Sequence, residues 1–292
     1  MKFATFLLGG EERCGVVEDD RVRPFPTGVE LIDLLGDLRG AASGAGDAVA
    51  LDQVQLLAPI PRPPAVRDFY AFEQHVKTGR ERRGLTMDPD WYELPVFYFS
   101  NPYATIGPGV TVRAPAGSAA LDFELEVAAV VGRRGSDLDA TTAEDHIAGY
   151  CIMNDWSARD VQGREMKQSL GPAKGKDFAT SLGPVLVTPD ELEPFRKGKA
   201  FDLTMTAAVN GREYSRATLA DIYWSFGDML AYASRSTRVG PGDVIGSGTC
   251  GTGCILELSL VHGREAYPWL QPGDEVTLAV EGIGALTNTI GR

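Results

Sequence analysis

Acidic residues stand at three points of the chain where they could share chemistry. Asp68 follows the short apolar stretch Ala65-Val66. The run Leu121-Asp122-Phe123-Glu124-Leu125-Glu126 alternates acid with hydrophobe, and Asp155 closes the segment Ile152-Met153-Asn154. In a strand, successive side chains point to opposite faces, so Asp122, Glu124 and Glu126 are expected on one face. Ala128-Ala129-Val130-Val131 extends the run, as for a strand inside a sheet, where clustered carboxylates repel and lose hydration. A bound cation relieves both problems; an edge strand with a solvated acidic face fits the alternation as well. Asp155 has two readings too, a ligand or the N-cap of the helical segment that follows. Together Asp68, Glu124, Glu126 and Asp155 offer four oxygen ligands. An all-carboxylate shell suits Mg²⁺, Mn²⁺ or Ca²⁺ rather than zinc or copper.

A general base has few candidates, because the chain holds only 3 histidines. His146 and His262 read as surface residues, the latter in an exposed hairpin turn. His75 lies on the helix expected directly after Asp68, and a neutral imidazole beside a divalent site suits activation of water. Lys174 and Lys176 sit in the Gly-containing stretch Leu170–Thr180, a loop that can cradle an anion, although lone surface lysines are ordinarily just solvated. Arg159-Asp160 reads as a local ion pair. Cys250 and Cys254 are spaced like a ligand pair, but no second pair or His pair accompanies them, which sets zinc aside.

These side chains need a scaffold, and the sequence predicts one that is mainly β. Strands are expected at residues 2–8, 13–18 and 21–25, then at 95–99, 110–113, 121–131, 147–156, 184–187, 203–209, 244–246, 255–260 and 275–280. Asn210-Gly211 marks a hairpin. Helices are expected over residues 71–83, 142–146, 158–167 and 221–234. Prolines 59, 61, 63 and 64 stiffen the chain, which places a domain boundary there. A small β-rich unit (residues 1–60) would precede a catalytic domain (residues 61–292). The 292 residues are 43% hydrophobic and 23% charged, enough for a sizeable core. A formal charge of −12 disfavours nucleic acid and anionic membranes as partners. No apolar run is long enough to span a bilayer, the N-terminus does not read as a secretory signal, and cytoplasm is the expected compartment.

Taken in order, the blocks Arg67–His75, Leu121–Glu126, Met153-Asn-Asp-Trp-Ser-Ala-Arg-Asp160, Leu170–Lys176, Ser247-Gly-Thr249 and Ile255–Ser259 resemble the fumarylacetoacetate hydrolase family from about residue 60 onward. The resemblance implies an α+β mixed β-roll core with covering helices, a homodimer, and one Mg²⁺ (or Mn²⁺ or Ca²⁺) per active site. It assigns Asp68, Glu124, Glu126 and Asp155 as metal ligands, His75 as water-activating base, Glu257 as its orienting carboxylate, and Lys176 as the lysine beside metal and leaving group. Tyr70, Tyr98, Gln162, Thr180 and Thr249 fall at substrate-contacting or supporting positions. The arginine that grips the substrate carboxylate is expected among Arg80, Arg82 and Arg83, with Arg82 taken first. The chain departs from the fumarylacetoacetase pattern at Gly163–Gln168 and in the short Cys250–Leu256 loop, both on the substrate pocket. Its short N-terminal unit is more like that of bacterial relatives acting on acylpyruvates and related 2-oxo acids. The implied activity is metal-dependent hydrolysis of a carbon–carbon bond in a small anionic diketo acid. A 2-oxo acid decarboxylase, hydratase or tautomerase on the same scaffold is the alternative.

Overall fold

Turns at Gly9-Gly10 and Asp19-Asp20 separate β1 (Lys2–Leu8), β2 (Glu11–Glu18) and β3 (Arg21–Pro24), which pair antiparallel in sequence order. The structure, a computed structural model, describes residues 1–82 and 84–292; Arg83, a candidate substrate arginine, lies outside the described residues. Beyond the prolines come β4 (Val66–Phe69), α1 (Glu73–Glu81), β5 (Phe97–Ser100), β6 (Leu125–Val131) and β7 (Ile147–Asp155). Next are α2 (Arg159–Glu165), β8 (Thr180–Val187), β9 (Thr204–Val209), β10 (Arg212–Thr218) and α3 (Phe226–Ala233). The chain closes with β11 (Val244–Gly246), α4 (Ile255–His262), β12 (Glu275–Val280) and β13 (Gly284–Ile290).

One large mixed sheet runs in the order β3-β2-β1-β8-β7-β6-β11-β4-β5, with the short strand Val49–Ala50 beside β3. Along this order neighbours are antiparallel except β11 and β4, which run parallel. A second sheet, β10-β9-β12-β13, continues into Thr111–Val112. The central strands are buried on both faces. Val127, Ala129, Tyr150 and Ile152 share a core with Met205 and Leu278 of the second sheet, whereas Ala128, Val130, Cys151 and Met153 pack with Phe3, Val16 and Leu31. A strand covered on both sides needs no polar face, which accounts for the unbroken Ala-Ala-Val-Val run. The architecture is the expected α+β one, a mixed β-roll with covering helices.

Four local expectations change. Residues 255–260 form a helix, although Leu256, Leu258 and Leu260 alternate with Glu257 and Ser259 as in a strand. Long-range capping decides the matter: the buried carboxylate of Asp122 accepts the N–H groups of Ile255 and Leu256, which a strand would not present together. His262 consequently ends a helix instead of sitting in a hairpin turn, though it is exposed as expected. The predicted strand 121–131 is broken into Leu121–Asp122 and β6. Finally, Asp160 does not pair with Arg159; it accepts from Ser118 Oγ at 2.7 Å and Ala119 N at 2.8 Å. The Asn210-Gly211 hairpin does form, with both residues at positive φ as a tight primed turn demands. Among the described residues no helix is long and apolar enough to cross a membrane.

Candidate active site

The sheet delivers four carboxylates to one place. Asp68 comes from β4, Glu126 from β6, Asp155 from the last position of β7, and Glu124 from the break before β6. One oxygen of each lies within 4.8 Å of the others, and all four residues are buried. The break has identifiable causes. Glu124 N donates to the side chain of Asn154 at 2.9 Å, and Leu125 N to Gly253 O at 2.9 Å. Asp122 therefore does not share the face of Glu124 and Glu126; it sits at the start of α4, where the helix dipole favours a carboxylate. Asp155 is not an N-cap either, since Ala158 holds that position for α2.

Buried bases offset only part of the charge. Lys176 Nζ donates to Glu124 and to Asp155. Arg159 donates through Nη2 to Glu124 Oε1 and through Nε to Asp122 Oδ2, both at 2.8 Å. The Tyr98 hydroxyl bridges Asp68 and Asp155, sharing its single proton between them. Burial pushes Asp68, Glu126 and Asp155 above the ordinary carboxylate range; for Glu126 the neighbouring carboxylates push the same way. Burial also acts to raise Glu124, but Lys176 and Arg159 outweigh it and hold that carboxyl low. Lys176 resists its own burial because Asp155 and Glu124 keep it protonated.

Three buried oxygens, Asp68 Oδ1, Glu126 Oε1 and Asp155 Oδ1, find no hydrogen-bond partner among the described residues. Such atoms are costly unless something supplies positive charge. A hard divalent cation, which takes carboxylate oxygens, fits this donor set. A Cβ at Gly246 would lie 2.6 Å from Asp68 Oδ1, so glycine there keeps that oxygen open.

His75 on α1 meets Glu257 on α4, Nδ1 to Oε2 at 2.8 Å. Tyr70 sets its ring edge-on to His75, centroids 5.7 Å apart. Cys254 lies with His75 and Glu257, the ligand atoms of the three within 4.8 Å of one another; it is Cys254, and not a Cys250–Cys254 pair, that shares this corner. Gln162 Oε1 accepts from Arg159 Nη1 at 3.0 Å. Thr180 is buried opposite Asp155 in the β7–β8 register. Thr249 is buried just after Gly248, whose N–H donates to Glu126 Oε2 at 3.1 Å. Arg80 is engaged elsewhere, with Thr86 O at 2.6 Å and Asp88 at 3.7 Å. Arg82 is exposed at the C-cap of α1, and among the described residues no contact ties it to the carboxylates. Sequence reasoning did not assign the Arg159 fork or the Asp122 cap. The invariably charged guanidinium of Arg159 was their only signal, and its partners are remote in sequence.

A β-roll sheet carrying a buried oxygen-donor cluster beside a His–Glu pair defines a protein able to hold a divalent cation. The chain belongs to the fumarylacetoacetate hydrolase family: residues 65–291 match the family described as fumarylacetoacetate (FAA) hydrolase C-terminal, and residues 1–59 match the Rv2993c-like N-terminal family. It is 32% identical to the fumarylacetoacetase of Arabidopsis thaliana over 268 residues, covering 73% of this chain and 63% of that protein. The chain thus spans slightly less than two thirds of that relative's length. It is 29% identical to the oxaloacetate tautomerase YisK of Bacillus subtilis over 245 residues, covering 83% of this chain and 75% of that one. Among solved structures, a fumarylacetoacetate hydrolase from psychrophilic Exiguobacterium antarcticum superposes with a TM-score of 0.77 at 28% identity, covering 100% of this chain and 99% of the other.

Proposed function

We propose that the protein is a divalent-cation-dependent hydrolase that cleaves a carbon–carbon bond in an acylpyruvate or related 1,3-diketo acid. The observation that carries this reading is the His75–Glu257 hydrogen bond beside the carboxylate cluster. Asp68, Glu124, Glu126 and Asp155 would hold one cation, Mg²⁺, Mn²⁺ or Ca²⁺ by the same oxygen chemistry; when bound it would polarise substrate carbonyl oxygens as a Lewis acid. With Nδ1 committed to Glu257, Nε2 of His75 is the nitrogen left to take a proton from water. Glu257 steadies the imidazolium that results. Addition of the hydroxide to the acyl carbon and cleavage of the adjacent carbon–carbon bond release a carboxylic acid and an enolate. The Lys176 ammonium stabilises the developing negative charge, and His75 or Lys176 returns a proton to carbon. Tyr70, Gln162, Thr180 and Thr249 line the substrate's position in this reading, Tyr98 supports Asp68 and Asp155, and one of Arg80, Arg82 and Arg83 grips the substrate carboxylate. A homodimer, a cytoplasmic location and a division into residues 1–60 and 61–292 belong to the same proposal.

The second reading is a 2-oxo acid decarboxylase, hydratase or tautomerase on the same scaffold, and similarity to an oxaloacetate tautomerase supports its tautomerase form. One experiment separates them. Acylpyruvates and oxaloacetate are incubated with enzyme and Mg²⁺ in water labelled with heavy oxygen, and products are weighed. Label in a released carboxylate supports hydrolysis. Unchanged substrate mass with faster keto–enol exchange, or carbon dioxide release, would replace it.

A further inference from the structure

The Gly-containing loop that leads to Lys176 has the backbone form of an anion cradle, and the chain fills it with its own carboxylate. Glu165, the last residue of α2, accepts three backbone N–H groups in succession: Ala173 at 2.9 Å, Lys174 at 2.7 Å and Gly175 at 3.1 Å. Convergent N–H groups of this kind bind anions. Here the anion is a side chain, so the loop is not waiting for substrate.

We propose that Glu165 is a positioning residue that sets Lys176 over the carboxylate cluster by occupying this cradle. The inference rests on the role given to Lys176 above. Its geometry is direct. Lys176 follows the third donor, and the N–H groups of Lys176 and Asp177 both return to Ala173 O at 3.0 Å, making one tight turn. That turn is held from α2 on a second side, because a Cβ at Gly175 would lie 2.7 Å from Gln162 N. It is held from a third side by Ala158 N, which donates to Gly175 O at 2.8 Å. The Lys176 ammonium is buried and tied to both Glu124 and Asp155, so the position of its backbone decides whether the four-carbon stem can meet both. The slight burial of Glu165 opposes its charge, yet the three N–H groups and Lys174 hold its carboxyl below the usual range. Glu165 also closes the neck of the excursion 166–172, which carries the exposed Met166 and Leu170, and separates that surface segment from the buried lysine.

The test uses the full chain and two variants, Glu165→Ala and Glu165→Gln. Hydrogen exchange at the amides of residues 173–175 should speed up in Glu165→Ala. Formate, the smallest carboxylate, should slow it again saturably by entering the vacated cradle. Labelling of Lys176 by an amine reagent, read by mass spectrometry, should rise and fall in parallel. With an acylpyruvate and Mg²⁺, kcat should drop about 10- to 100-fold, as expected when a catalytic group is displaced by roughly an ångström, while KM moves less than about threefold. Formate should restore kcat. Glu165→Gln, which keeps one acceptor oxygen and adds a mismatched amide N–H, should fall between. Unchanged amide exchange in Glu165→Ala would overturn the proposal. So would a loss of turnover that formate restores in neither exchange nor rate, because a merely destabilised fold has no cradle to refill. If the wild-type chain turns over no acylpyruvate, the proposed function fails, and exchange with Lys176 labelling still decides the positioning.

Discussion

His75 Nδ1 and Glu257 Oε2 lie 2.8 Å apart, joining α1 to α4 across 182 positions of sequence. The bond fixes the imidazole tautomer and leaves Nε2 for proton transfer. His75→Ala is therefore expected to reduce kcat by about 10²–10⁴-fold, the usual loss for a general base, while Mg²⁺ titrated by calorimetry binds as in the wild type. Turnover within a few fold of wild type would remove His75 from the reaction.

Removing a ligand should act differently. Asp155→Ala and Glu124→Ala are each expected to abolish metal-dependent turnover and to weaken Mg²⁺ binding beyond calorimetric detection, since a carboxylate-only site depends on its charge count. An unchanged titration in both variants would place the cation elsewhere.

Glu126 offers a test with the opposite sign. It is buried against three other carboxylates, and one of its oxygens has no hydrogen-bond partner among the described residues. Glu126→Gln keeps the shape and removes the need to hold a proton. In chelator the variant should melt higher than wild type, because burial and the neighbouring carboxylates raise Glu126 in the folded chain and the amide removes that cost. In Mg²⁺ the order should reverse. A lower Tm in chelator would show that the crowding costs nothing.

The same crowding sets a pH dependence. Burial raises Asp68, Glu126 and Asp155 in the folded chain. The metal-free fold thus keeps protons that the unfolded chain surrenders, and stability falls as pH climbs from the ordinary carboxylate range through these raised values. Mg²⁺ competes with those protons, so its affinity rises over the same window. Thermal melts between acidic and mildly alkaline pH should show a Mg²⁺-induced Tm increase that grows with pH. A constant increment would contradict the assignment of raised values to the cluster.

Much of this site could be read from residue types, because alternation and burial act locally. Glu124 and Glu126, two apart before an apolar run, were expected to share a direction and do meet in the cluster, and Asp68 and Asp155 each ended an apolar segment. What could not be read depends on contacts between remote segments. Asp122 belongs to the same alternation, yet the break at Phe123-Glu124 sends it to cap α4. The pattern at 255–260 looks like a strand, and the cap from Asp122 makes it a helix. Arg159 stands next to Asp160 and binds Asp122 and Glu124 instead. The loop before Lys176 was legible as an anion cradle, but not that Glu165 fills it.

Asp122 also supports the prediction that reaches furthest from the cluster. It joins the start of α4 to Arg159 through a carboxylate that is itself fully buried. Asp122→Ala should cost about 3–5 kcal/mol, the range for breaking a buried pair, and denaturant unfolding should show it. Asp122→Asn, which can still accept from the helix, should cost less. Equal and small effects would mean that α4 starts without this cap.

Three strands contribute carboxylates to one small volume, which makes strand alignment a condition for cation capture. In the native pairing Glu126 stands opposite Met153. A slip of one residue between β6 and β7 would turn Glu126 to the other face and leave the hydrophobic pattern almost as well satisfied, since both faces here are apolar. Hydrophobic burial alone is thus a weak judge of register at the centre of this sheet, whereas the cation rewards only the correct one. Metal ions would then act during assembly as proofreaders. Refolding begun in Mg²⁺ should yield more native protein than refolding begun in chelator with Mg²⁺ added afterwards; equal yields would confine the cation to the finished enzyme.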